Sequence, residues 1–450
     1  MSRMSMRRRR MGMGMMVFTS ASAETAATPA STPHPSTFAG MNFADNILMT
    51  RQYPPDYPNS QPPFIPFPNQ PVDVESRLRD IVTISNVIRV SLCWEAYEWY
   101  RSTGNLKTYL NRIVEVAKAA EDLGLSVVYS LMTQTAISSV IYTDTSKKWM
   151  GVGFPAAALD PLGLNKPDSR YVYDVPLVST DIMTSPKNRF WHYFVTNYTC
   201  TIGGVTKPIW EHMWDYYSNV VRLTLPYRST LGYSLLTSPL SAVDNITTSV
   251  YRGLGTFYAE MTKRIRGLAS RILTTLIAKI KGAPLERYIF FSELESIRHN
   301  DTEIDAAYPD LAGKSAYYKR AELTGRLLLP VDSGGNPIPN VVFELIRFGH
   351  LGTFPSSHIT QFNEYDRVLS SRFNVPIVLA RWNEGSAMEP TTDVYKTELG
   401  ILKQRRYGWF FFNYDPNHPW SIKDSKYKDR WNSAKTLTFR QMLMDAIKAV

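Results

Sequence analysis

Cysteine is nearly absent: Cys93 and Cys200 are the only two in 450 residues. That excludes a disulfide framework and any cysteine-built zinc site. A single bridge between them is unsupported, because Cys93 falls in an apolar run read as a buried strand. No apolar stretch reaches the roughly 20 residues that span a bilayer, so no transmembrane segment is expected. Phosphate-cradling signals are missing as well. Gly253-Leu254-Gly255 lacks both a third glycine and a preceding strand, and no Gly-x-Ser-x-Gly elbow occurs. His192, His212, His299, His350 and His358 are scattered without close ligand spacing. No metal and no cofactor is expected.

Positive charge is in excess, at net +10, but Arg3 and Arg7 to Arg10 supply half of it. Without them no basic stripe remains, and no nucleic-acid partner is expected. Residues 1–23 have the outline of an export signal: a basic start, a short apolar run Met11–Phe18, then Ala21-Ser22-Ala23. An Ala/Thr/Pro/Ser linker follows, so 1–37 is set apart from the folded unit 38–450. We read a secreted or cell-surface protein, with a cytoplasmic chain carrying a basic tail as the alternative.

The remainder, in a chain that is 44% hydrophobic, can bury a large core. Phe38–Phe43 reads as a strand, and 73–85 has helical spacing through Val74, Leu78 and Ile81. Residues 86–95 and 126–133 read as buried strands joined by an amphipathic helix over 106–123, with Gly124 as its cap. That βαβ unit predicts a parallel sheet. Residues 135–208 break the rhythm and read as a long loop insertion. Five more strands follow near 229–239, 287–293, 340–346, 375–382 and 407–414. Helical stretches separate them near 248–281, 313–326, 361–373 and 391–406.

The most telling segment is 229–239, Ser-Thr-Leu-Gly-Tyr-Ser-Leu-Leu-Thr-Ser-Pro. Gly40 and Asn42 on the first strand, Arg89 on the second, and Tyr258 with Ile265-Arg266 belong with it. So do Pro376-Ile377-Val378 and Gly408-Trp409. Together these resemble glycoside hydrolase family 5, the cellulase family of clan A, over roughly residues 38–415. The resemblance implies an α/β fold, a (β/α)8 TIM barrel of the clan A glycoside hydrolase type with a long insertion after the third strand. It implies an oligosaccharide or polysaccharide partner and an Arg89 that orients the nucleophile. Asn42, Arg89, Trp94, Thr237, Trp382, Trp409 and Tyr414 are then the expected sugar contacts. The 26 Tyr and 10 Trp suit such a cleft, and fill a large core equally well.

Departures fall at the chemistry. In the family the fourth strand ends in Asn-Glu-Pro, whose Glu is the acid/base; here Thr237 and Ser238 precede Pro239. The seventh strand should end on a nucleophilic Glu, and the register puts Arg381 there, followed by Trp382. The His of strand three and the His-x-Tyr of strand six have no counterpart. A retaining hydrolase needs two carboxyl groups about 5 Å apart. Serine supplies neither proton transfer near neutral pH, and arginine stays protonated.

Relocated carboxylates are the remaining route to catalysis. Glu384 stands three residues beyond the nucleophile position, and Glu293 and Glu295 close the fifth strand on one parity. The competing reading of each, a solvated or paired charge, is the commoner one for acids at strand ends. Glu344, alternating with Phe343 and Leu345, requires a basic partner if buried, such as Arg347 or an Arg of a neighbouring strand. Two functions remain: a glycan-binding pseudoenzyme that has lost the standard machinery, and a divergent O-glycosyl hydrolase using Glu384 with Glu293 or Glu295.

Overall fold

The computed structural model describes residues 32–45, 47–48, 73–132, 154–162, 186–237, 246–276, 287–293, 299–348, 354–384, 391–414 and 439–450. Eight parallel strands close a barrel. They are β1 (Ala39–Phe43), β2 (Val87–Leu92), β3 (Ser126–Met132), β4 (Thr230–Thr237), β5 (Tyr288–Ser292), β6 (Val341–Phe348), β7 (Ile377–Glu384) and β8 (Gly408–Tyr414). Each pairs with its neighbours in chain order, and β8 returns to β1.

Alternation along the strands divides the apolar residues between two cores. Val87, Val128, Phe290, Val342, Val378 and Phe410 fill the barrel's lower interior. Phe38, just before β1, plugs that end and meets Tyr288 and Phe410 edge-on at 6.2 Å each. Residues of the other parity, such as Ile88, Tyr129, Ile289, Phe343 and Leu379, pack outward against the helices. Two motif glycines are dictated by this crowding. A Cβ on Gly40 would collide with the Phe410 ring, and one on Gly232 with the carbonyl of Tyr288.

Helices wrap the barrel where the amphipathic spacing expects them. Leu106–Asp122 buries Tyr109, Ile113, Val116 and Ala120, and ends at Gly124 with φ +71°. That left-handed position favours a residue without Cβ. Ile209–Thr224, Thr248–Leu276 and Thr392–Arg405 follow the same pattern. Among the described residues no helix is long and apolar enough to cross a membrane.

Within 135–208 the described residues add elements that the loop reading lacked: a short helix Ala156–Leu159 running into a 3-10 turn Asp160–Leu162, a helix Pro186–Val195, and a hairpin of Thr199–Ile202 with Val205–Pro208. Phe154, Phe190 and Phe194 pack against one another and reach Trp94, Trp210 and Phe257. The described part of the insertion is therefore fastened to the barrel's flank by an aromatic core. Helices Trp94–Ser102 and Phe439–Ala449 are also additions.

Candidate functional site

Above the apolar plug the barrel interior turns polar. Arg89 reaches across from β2 to Glu344 on β6, the strand four places away in a ring of eight. Its Nε donates to Glu344 Oε1 at 3.0 Å and its Nη2 to Oε2 at 2.8 Å. This is the fork geometry in which guanidinium and carboxylate bind most strongly. Ser234 on β4 donates a further bond to Oε2 at 2.8 Å. The remaining donors of Arg89 meet Asn42 Oδ1 at 3.2 Å and Thr237 Oγ1 at 2.6 Å. Ser130 on β3 closes the ring by bonding Thr237. Arg89, Glu344, Ser234, Ser130 and Thr237 are fully buried, and Asn42 is nearly so.

This pairing corrects one expectation. The resemblance assigns Arg89 to a nucleophile on strand seven, but its carboxylate partner stands on strand six. Sequence reasoning sought the basic partner of Glu344 in Arg347 or on a neighbouring strand; the partner is Arg89, four strands away. Removing both charges from water is costly, so the pair persists through its geometry and the extra hydroxyl and amide bonds.

The other half of the expected machinery lies on β7. Here the register slips on both sides. Leu379 faces Trp409 and Trp382 faces Phe411 on β8, while Leu379 faces Leu345 and Arg381 faces Ile346 on β6. One extra residue at Ala380-Arg381 is a β-bulge, which shifts the parity of the residues beyond it. Trp382 is consequently turned to the helix side, fully buried among Tyr395, Trp409 and Phe411 at 5.2–5.4 Å. Its indole Nε1 donates to Glu398 on the helix Thr392–Arg405 at 2.5 Å. Arg381, also fully buried, is left on the barrel side. Burial pushes the Glu398 carboxyl up to about 8, against the lowering effect of the indole bond.

The expected sugar contacts are thus brought together only in part. Asn42, Arg89 and Thr237 form one network. Trp94 instead opens the helix Trp94–Ser102, stacked on Tyr216 at 6.3 Å with its indole bonded to Glu98 at 3.0 Å. Trp409 is the second residue of β8, at the N-terminal end of the strand and away from the barrel mouth, beside a groove of about 620 Å³ shared with Tyr407 and Phe38. None of Trp94, Trp382 and Trp409 presents an open ring face at the barrel mouth, which corrects the reading of them as stacking platforms. Tyr414 and Glu384 end β8 and β7, but their side chains lie outside the described residues, as do Ser238 and Glu295.

Glu293 is described, and it is engaged. One oxygen accepts from Arg320 Nη2 at 2.7 Å and the other from the Tyr365 hydroxyl. By strand parity it follows outward-facing Phe291, and its partners come from helices Ala316–Leu323 and Ser356–Tyr365. It stands on the helix side of β5, away from the barrel centre. Sequence reasoning missed Glu398, whose signal was its place on the inner face of a helix at four-residue spacing from Leu402.

The fold defines a class: a closed (β/α)8 TIM barrel. Among solved structures the chain is similar to endo-glycoceramidase II from Rhodococcus sp. captured as a lactosyl-enzyme intermediate. That match is 14% identical, with a TM-score of 0.54, over 90% of this chain and 77% of that one. The same enzyme with a cellobiose-like imidazole matches at 14% identity and a TM-score of 0.54, over 93% and 81% of the two chains. PbGH5A, a glycoside hydrolase family 5 enzyme from Prevotella bryantii B14, matches at 12% identity and a TM-score of 0.48, over 95% and 99%. At such identities the likeness is one of fold. No protein-family profile matches the sequence, and no curated protein does.

Proposed function

We propose that this barrel binds a glycan at the C-terminal end of its strands and does not cleave it by the two-carboxylate retaining route. The fold supports the carbohydrate half of the reading: endo-glycoceramidase II, to which it is similar, carries a lactosyl group in one of its structures. One observation supports the other half. The carboxylate described inside the barrel, Glu344, has both oxygens bound by Arg89 and no exposed surface. A carboxylate so held neither attacks an anomeric carbon nor donates a proton to a leaving oxygen. Ser238 and Arg381 stand at the usual glutamate positions, and Glu293 is tied to Arg320. Glycan contacts in this reading come from the strand ends and loops beyond the buried layer. Export of the chain, read from residues 1–23, belongs to the same proposal and is checked by locating the mature N-terminus in culture medium.

The test pairs binding with turnover: calorimetry against β-linked oligosaccharides, and product analysis after prolonged incubation. Binding without product is expected. A second reading has one observation in its favour. The β7 backbone runs as far as Glu384, in register with Phe348 of β6, at the end where such barrels carry their chemistry. Glu384 with Glu295 would then serve as the carboxyl pair, and Glu384→Gln would abolish turnover.

A further inference from the structure

The bulge in β7 is gripped from both sides. Inside the barrel, Asn42 Nδ2 donates to the carbonyl of Ala380 at 2.9 Å and to the carbonyls of Phe410 and Phe411 at 3.3 and 3.2 Å. These are the β7 and β8 positions where the register slips. Outside, Trp382 is wedged among three rings and bonded to Glu398. A bulge unsupported on either side has a cheaper alternative, the regular strand. In that strand Trp382 would take the barrel side and Arg381 the helix side.

We infer that Glu398 is a positioning residue for the barrel centre: its bond to Trp382 holds the β7 bulge that puts Arg381 inside. Glu398 lies on an outer helix, 17 positions further along the chain than Arg381. It nevertheless sets which side chain the barrel receives from the strand where the family keeps its nucleophile. Asn42 is the inner half of the clamp, and it is bonded in turn to Arg89. The inference rests on the geometry of β7 and stands whether or not the glycan reading survives.

Hydrogen exchange of the backbone amides, with the indole N–H resonance of Trp382, reads this directly. Glu398→Ala is expected to move the indole resonance and to speed exchange at 380–384 roughly tenfold, the scale of one lost buried hydrogen bond. Exchange in β3 and β4, neither of which pairs with β7, should stay as in the parent. Glu398→Gln keeps an acceptor oxygen and should restore both signals. Unchanged exchange at 380–384 in Glu398→Ala overturns the inference, and so does a uniform rise across the barrel. Should Glu398→Ala fail to fold, Trp382→Phe keeps a ring and drops the donor; the same local rise is expected, and its absence is equally fatal.

Discussion

Arg89 and Glu344 face each other across the full width of the barrel, from β2 and β6, with 2.8 Å between Nη2 and Oε2 and neither exposed to solvent. The guanidinium that a clan A hydrolase would turn to its strand-seven carboxylate is here bound elsewhere.

That pair makes the first prediction. Glu344→Leu alone strands a buried guanidinium and should cost about 3–5 kcal/mol of stability. Adding Arg89→Met should recover much of the loss, because the second change removes the orphaned charge. Denaturant unfolding of the two single variants and the double variant checks this. Additive losses in the cycle would contradict it.

Trp94 carries the second. Its ring is enclosed by Tyr216 and Phe154, so Trp94→Ala leaves a cavity and should cost about 3–5 kcal/mol. Glycan affinity of the folded fraction should be unchanged. A selective loss of affinity with stability intact would restore the stacking role.

Glu398 predicts a pH dependence. Burial raises its folded pKa from the ordinary value of 4.5 to about 8, so the folded state holds a proton that the unfolded chain releases. The resulting stability is full below pH 4.5, falls as pH rises, and is lost once pH passes about 8. The slope between those limits is about 1.4 kcal/mol per pH unit at most. Unfolding free energies measured across that range should fall more steeply for the parent than for Glu398→Gln. Parallel curves would sink the prediction.

Much of the barrel was legible because its signals are local. Runs such as Val87–Leu92 and helices such as Leu106–Asp122 declare their period within one element. Gly40 and Gly232 were legible as motif residues, and the structure supplies their reason in the rings and carbonyls they avoid. The features that escaped depend on a single inserted residue or on distant partners. The β7 bulge reverses the side on which Trp382 lies, and alternation read along a sequence has no means of registering that. The Arg89–Glu344 contact joins residues 255 apart, so the sequence offered the need for a partner and not its identity. Trp94 was read as a sugar contact, and the helix Trp94–Ser102 that buries it beside Tyr97 and Tyr100 was not foreseen. Glu293 shows the limit of parity: its outward side was deducible from Phe291, its ion pair with Arg320 was not.

The most direct test of the central claim is hydrolysis of a panel of aryl β-glycosides and β-glucans by the purified protein, with Glu384→Gln beside it. The account predicts no turnover from well-folded protein that still binds a β-linked oligosaccharide. Turnover that Glu384→Gln abolishes would contradict it and establish a hydrolase with a relocated carboxylate.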